Sequence, residues 1–327
     1  MIVLSREEVE ELLDVDALID ALAPAMADLS AGRAEVPERT VASVPDRDAL
    51  LLDMPGYAPS PDALITKLVS VFPGNAGSAI PVRQAVIVAF DPVTGEPAAL
   101  LDGTYITAAR TAACAALSAR LLARPDASTA AVLGTGVQAR AHAIAVPRVR
   151  RIRELRIAGR DHAKAVRLAE ELADAVDADV RAVATYEEAI TGADIVSAAT
   201  YAAEPVVRRA WVAPGTHVTS VGYNPSGREI DDATIADAAL FVESRAAALA
   251  AVPPNRDLAE PLARGIITPA HVRAELGEVA GGTRPGRLGA EEITLYKSVG
   301  VVVQDLVATA LVLAAARERG AGRLLEL

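Results

Sequence analysis

Residues 130–142 read AAVLGTGVQARAH. An apolar run breaks at Gly134-Thr135-Gly136, and Ala139 follows three residues on, which makes the pattern G-x-G-x-x-A. After a buried strand, the first glycine permits a tight turn and the second lets a pyrophosphate approach the backbone. The small Ala139 lets helix and strand pack closely. A helix starting there presents unpaired N–H groups to phosphate oxygens. Alone, the pattern also fits a tight strand-to-helix turn that binds nothing.

The sequence downstream favours the binding reading. TAAVL, ELRIA, VRAVA, ADIVSAA, THVTSVG and AALFVE are strand candidates separated by helical stretches, one after Gly136 and one over 163–175. Alternation at this spacing predicts an α/β domain with a doubly wound parallel sheet of the Rossmann type. The end of the second strand, ELRIAGRDHAKA, sets the cofactor. Gly159 stands where an acid would hold a ribose 2′-hydroxyl, and Arg160 beside it suits a 2′-phosphate. Asp161 comes two places late and is expected to cap the next helix. NADP(H) is favoured, and NAD(H) is the alternative should the register slip by a residue or two.

Upstream the pattern differs. The opening LSREEVEELLDVDALIDALAPAMADLSAG has helical spacing, with a Ser5–Glu8 capping box and Gly32 placed to end the second helix. Over 36–101, short apolar runs separated by Pro, Gly and Asp predict an antiparallel sheet, with a hairpin turn at DPVTGEP. A long helix, TYITAARTAACAALSARLLA, is expected to end before Pro125. After Glu243 come an irregular stretch and the Gly-rich GEVAGGTRPGRLGAEE. A last helix, from about Leu295 or Val299 to Arg319, is expected to pack back on the first domain. The expectation is a domain of 1–115 together with 300–327, and a dinucleotide-binding domain of 116–299.

Composition narrows the function classes. With 327 residues, 52% apolar and 23% charged, the chain has material for a large core. A net charge of −11 without a basic cluster argues against nucleic acid or an anionic membrane as a partner. The lone Cys114 rules out an internal disulfide, and the four histidines have no metal-ligand spacing. The N-terminus lacks the bases of a signal peptide, and 299–316 is interrupted by Gln304 and Asp305, as in a buried helix rather than a membrane span. A cytoplasmic protein is expected.

Three cations stand out in the first domain: Arg39 in PERTV, Lys67 in ITKLVSVFPGN and Arg110 in ITAARTAA. A lysine within an apolar strand is costly unless paired or functional. Each cation singly suits a surface position, but three without obvious local acids suggest a site for a small carboxylate. In TSVGYNPSGRE, residues 219–229, a strand runs into a turn that carries Asn224 where a proton carrier could stand. An amide orients by hydrogen bonding and takes no proton at neutral pH.

PERTV, KLVSVFPGN, LLDGTYITAARTAA, VLGTGVQARAH, SVGYNPSGREID and EEITLYKSVGVVVQDL occur in that order. On these six motifs the chain resembles the ornithine cyclodeaminase/mu-crystallin family over essentially its full length. The resemblance implies a Rossmann domain and an α+β substrate-binding domain through which the family dimerises, so a homodimer is expected. It implies that Arg39, Lys67 and Arg110 hold the substrate carboxylate, with Lys67 near the reacting carbon. Val137 and Gln138 would contact the pyrophosphate beside Gly134 and Gly136, Gly159 and Arg160 the adenosine ribose, and Thr200 the cofactor at the fourth strand's end. Val221, Gly222, Tyr223, Asn224, Arg228 and Ser298 would approach the nicotinamide half, with Val82 and Arg110 added to the cofactor contacts and Val299 beside the substrate.

The departures carry the functional expectation. Family cyclodeaminases place a proton-exchanging Asp where this chain has Asn224, and a second carboxylate where it has Leu52, with Asp53 one residue off and on the opposite face of a strand. Losing both acids argues against ornithine cyclisation. The expected activity is NAD(P)H-dependent reduction of a small cyclic imino acid, or interconversion of an amino acid and its 2-oxo acid. Lys67 and Asn224 are the candidate catalytic residues, Lys67 as proton donor and Asn224 as an orienting group. The alternatives are a cyclodeaminase that recycles NAD internally and a non-enzymatic nucleotide-dependent ligand-binding protein.

Overall fold

Strand direction divides the chain into two sheets, one largely antiparallel and one wholly parallel. The computed structural model describes residues 1–75, 77–250 and 254–326. It has one unit of Met1–Arg110 with Val301–Leu327 and a second of Thr111–Gly300.

The first unit opens with β1 (Ile2–Leu4) and α1 (Arg6–Leu12). Ser5 Oγ accepts from the Glu8 N–H while the Glu8 carboxylate accepts from the Ser5 N–H, so the predicted capping box forms. After α2 (Val15–Ser30), Gly32 adopts a φ of +68°, the left-handed turn that closes a helix. β2 (Thr40–Val44), β3 (Ala49–Ala58), β4 (Ala63–Val71), β5 (Arg83–Phe90) and β6 (Pro97–Asp102) then pair in sequence as an antiparallel meander. The expected turn joins β5 to β6, where the Asp91 carboxylate accepts from the Val93 and Thr94 N–H groups. The division between units falls inside α3 (Gly103–Leu122).

In the second unit, strands and helices alternate as β7 (Thr129–Leu133), α4 (Val137–Ala145), β8 (Glu154–Ala158), α5 (His162–Leu172), β9 (Asp179–Ala182), α6 (Tyr186–Ile190) and β10 (Ile195–Ala198). β11 (His217–Ser220), α7 (Asp232–Asp237), β12 (Ala239–Val242), α8 (Arg245–Ala248), α9 (Arg256–Ala263), β13 (Val272–Glu275), α10 (Leu276–Ala280) and β14 (Thr294–Lys297) complete it. The irregular stretch expected after Glu243 includes residues 251–253, which lie outside the described residues. The eight strands run parallel in the order β13-β12-β14-β11-β10-β7-β8-β9. Ala131 and Leu133 of β7 enter one apolar core, and Ala130 and Val132 enter the core on the other face. Strand order reverses at β7, which has β8 on one side and β10 on the other, so the loops after β7 and β10 flank a topological switch point.

One expectation fails here. The last helix does not begin near Leu295 or Val299: Thr294–Lys297 is a strand paired to β11 and β12, and the helix, α11, spans Val302–Arg319. All four strand residues are buried, and a strand covered on both faces reads as an unbroken apolar run that merges with the helix after it. α11 lies against α2, β3 and β4 of the first unit, and β15 (Arg323–Leu324) pairs with β1. Gly56 of β3 admits the helix, because a Cβ there would stand 2.6 Å from Val302 Cγ1. Among the described residues no helix is long and apolar enough to cross a membrane.

Candidate active site

Cross-strand partners share a face of the sheet, so Met54, Lys67 and Ile87 form one row and Asp53, Leu68 and Val86 point the other way. The Lys67 row faces α11. Lys67, 1% exposed, places Nζ 2.7 Å from Asp305 Oδ2, and Arg110, 5% exposed, places Nε 3.2 Å from Asp305 Oδ1. One fully buried carboxylate therefore bridges two buried cations, one oxygen to each. The Arg110 guanidinium also donates to Gln304 Oε1.

Among the described residues Lys67 and Arg110 pair with no local acid, as expected, but they share a distant one. Asp305 lies 238 residues from Lys67 and 195 from Arg110 in the chain, so no local inspection of PERTV, ITKLV or ITAAR finds it. The only signal was an acid inside the apolar VVVQDLVAT.

Burial pushes the Lys67 ammonium down, Asp305 opposes this, and Arg110 and Arg39 push it further, leaving it at about 8. All three expected cations therefore act on one spot. Among the described residues, Lys67 commits one of its three N–H bonds, to Asp305, and retains two for a ligand. Asp53 is out of reach on the other face, where its carboxylate accepts from the Thr66 hydroxyl. Val82, just before β5, accepts the Phe72 N–H with its carbonyl.

In the second unit, Gly134 has a φ of +120°, and a Cβ there would lie 2.5 Å from the Ala199 carbonyl oxygen. A Cβ on Gly136 would meet nothing within 4 Å. The loop is therefore tight against the protein at its first glycine and open at its second. Gly136 is the N-cap of α4, and Arg140 N–H makes the first intrahelical bond to the Gly136 carbonyl. The Val137 and Gln138 amides have no acceptor within the helix, and the Gln138 Oε1 is buried without a partner among the described residues. Ala139 is fully buried against the strand. These residues fit a pyrophosphate.

Gly159 follows β8 directly, and a Cβ there would meet Thr135 Cγ2 at 2.6 Å. A larger residue would crowd the loop. Arg160 is exposed and lies by Tyr186, whose hydroxyl burial pushes up and Arg160 draws back down. Asp161 caps α5 by accepting from the Lys164 N–H.

The loop after β11 rests on a carboxylate absent from the sequence expectations. Glu229, 1% exposed, accepts from the Thr200 N–H at 2.6 Å and hydroxyl at 2.7 Å on one oxygen. Its other oxygen takes the Ser220 hydroxyl at 2.7 Å and the Gly222 N–H at 2.8 Å. It ties the ends of β10 and β11 together, a role hidden within the SGREID motif. Beneath it, Lys297 Nζ reaches Asp257 Oδ2 at 2.8 Å, Ser220 Oγ at 2.8 Å and the Gly222 carbonyl at 3.1 Å.

Val221 donates its N–H to the Ala198 carbonyl. Asn224 donates through Nδ2 to the Ala202 carbonyl and accepts from the Ser226 N–H, so both ends of its amide hold the loop. Tyr223 precedes it on the same turn. Arg228 is ion-paired to Asp232 at 2.5 Å and lies 3.7 Å from Glu260. Glu243 gathers the Ser298 hydroxyl at 2.6 Å and the Val299 N–H at 2.7 Å. Among the described residues no group of His, Cys, Asp and Glu could hold a metal ion. His142 and His217 are held neutral by burial, at about 4 and about 3.

The sequence profile described as the ornithine cyclodeaminase/mu-crystallin family matches residues 1–320. The ketimine reductase mu-crystallin of Mus musculus is 39% identical over 314 residues, covering 94% of this chain and 95% of that protein. Among solved structures, the Thermococcus litoralis Δ1-pyrroline-2-carboxylate reductase in complex with NADH and L-proline superposes with a TM-score of 0.94. It is 36% identical and covers 99% of this chain and 100% of that one. An archaeal alanine dehydrogenase dimer with bound NAD reaches a TM-score of 0.90 at 27% identity, covering 100% of this chain and 99% of that one. On the profile match and the shared identity, the chain belongs to the ornithine cyclodeaminase/mu-crystallin family.

Proposed function

We propose that this protein is an NAD(P)H-dependent reductase of small cyclic imino acids of the pyrroline- or piperideine-carboxylate kind. The observation that carries the reading is Lys67: a buried lysine at about 8, with two uncommitted N–H bonds and two arginines acting on the same spot. Arg39 and Arg110 hold the substrate carboxylate there. Lys67 gives its proton to the imine nitrogen and regains one from solvent, which leaves the amine product and a recharged ammonium. A bound reduced nicotinamide dinucleotide supplies the hydride to the imine carbon. Gly134, Gly136, Val137 and Gln138 would hold its pyrophosphate and Gly159 with Arg160 its adenosine ribose, and the backbone of residues 221–224, with Thr200 and Ser298, would hold the nicotinamide half. Burial of the proton donor keeps water from competing.

NADPH is the preferred reductant in this reading. Gly159 brings no carboxylate to repel a 2′-phosphate, and the exposed Arg160 guanidinium is placed to receive one. The relatives solved with NADH and NAD make the opposite preference the informative alternative. Cyclodeamination is disfavoured by two features of this chain: Asp53 points away from Lys67, and Asn224 carries no acid.

The first unit also supports a homodimer. The sheet face turned away from Lys67 carries Leu51, Leu68, Val86, Val88 and Leu100, with Leu51 and Val86 at 44% and 45% exposure. A second copy of the chain covers this face, as fits a fold relative described as a dimer.

The test is loss of reduced-nicotinamide absorbance with NADPH and with NADH, against cyclic imino acids and against pyruvate plus ammonia. Turnover favouring NADPH is expected. Ammonia release from ornithine without net cofactor consumption would replace this reading with a cyclodeaminase, and tight binding without turnover would replace it with a binding protein.

A further inference from the structure

Among the described residues that act on Lys67, Asp305 on α11 is the anion, and Arg110 on α3 and Arg39 ahead of β2 are cations; Gln304 accepts from Arg110. Burial in an apolar sheet and two nearby guanidinium groups all favour a neutral amine, which has no proton to give. Asp305 opposes them, and its two oxygens fix Lys67 and Arg110 in a set arrangement.

The geometry points to Asp305 as the positioning residue that keeps Lys67 loaded with its proton and aims it, together with Arg110, at the substrate. Asp305 is 0% exposed and has both oxygens engaged by Lys67 and Arg110, so it acts on the substrate only through those two cations. The role rests on the reductase reading for its catalytic meaning, though not for its electrostatics. In each turnover the imine carbon would receive a hydride, one hydrogen nucleus with two electrons, from the reduced nicotinamide. The C=N π pair moves to nitrogen and takes the Lys67 proton, and Asp305 takes no part in the transfer. Gln304, one residue away, completes the arrangement by accepting from Arg110.

The experiment compares wild type with Asp305→Asn and Asp305→Glu. The chain has three lysines, Lys67, Lys164 and Lys297, so isotope labelling of lysine gives three ammonium signals to follow with pH by NMR, whether or not there is turnover. The expected result is that Asp305→Asn lowers the Lys67 midpoint by about one pH unit or more, the effect of losing one close opposite charge. The alkaline limb of kcat/KM for imine reduction shifts down with it. Asp305→Glu, which restores the charge, keeps the limb near the wild-type position while kcat falls. A folded Asp305→Asn protein with an unmoved Lys67 midpoint overturns the inference. Should Asp305→Asn not fold, Asp305→Ser takes its place: a lowered Lys67 midpoint upholds the inference and an unmoved one overturns it. Absence of wild-type turnover would sink the reductase reading and leave the NMR result to judge Asp305.

Discussion

The molecule has two fully buried lysines that are paired to aspartate at nearly the same distance, and they differ in everything else. Lys297 uses all three N–H bonds, on Asp257, Ser220 and the Gly222 carbonyl. Lys67 uses one, on Asp305, with two arginines acting against its charge. A saturated buried cation is a structural fastener, because every donor has an acceptor and no ligand is needed. An unsaturated one is a binding group held ready, at a standing cost that the rest of the fold has to offset. Burial alone does not distinguish the two; the count of uncommitted donors does.

The comparison breaks or sharpens at five points. Lys67→Met should lower reductase turnover by about 10²- to 10⁴-fold, the range for a lost general acid, with nucleotide binding unchanged by fluorescence titration. The same reasoning predicts that wild-type imine reduction holds at neutral pH and declines through about 8, as Lys67 loses its proton. A flat profile across that range would remove Lys67 from the proton transfer.

Lys297→Met should instead show its effect in denaturant unfolding, with stability down by about 3–5 kcal/mol, since Asp257 is left buried without its cation. Lys67→Met should destabilise less, because Asp305 keeps Arg110. Equal losses for the two variants would erase the distinction. Glu229→Gln places donors against the Ser220 hydroxyl and the Gly222 N–H. It should weaken nucleotide binding by about tenfold by loosening the loop without touching Lys67. Asn224→Ala removes two neutral hydrogen bonds, each about 1 kcal/mol, and should raise the nucleotide KM only severalfold in steady-state assays. A complete loss of activity there would return Asn224 to the chemistry.

Much of the second unit is legible because its elements are local. AAVLGTGVQARAH carries strand, turn and helix within thirteen letters, and the strand after it ends just before Gly159 and Arg160. β14 is not legible, because a central strand has no polar face to give it a period of two and it runs into an apolar helix. The site in the first unit is legible by half. Lys67 stands out as a charge in an apolar strand, but the group that makes it useful is contributed by a helix more than two hundred residues later. Glu229 was in plain view in SGREID, and nothing in the letters says that four donors converge on it.

The route of the chain has a consequence for its manufacture. The first unit is begun by residues 1–110 and finished by α11, with the entire second unit synthesised in between. At bacterial or eukaryotic elongation rates of about 5–20 residues per second, that interval lasts on the order of ten seconds or more. Throughout it, the sheet face that receives α11, with Gly56, Ile65 and Ile87, lacks that helix. Lys67 meanwhile has no counter-ion. A chain still being synthesised therefore carries this apolar face without α11, with Ile65 and Ile87 among the residues the finished fold buries. The last helix to be made both covers that sheet and brings Asp305 to Lys67.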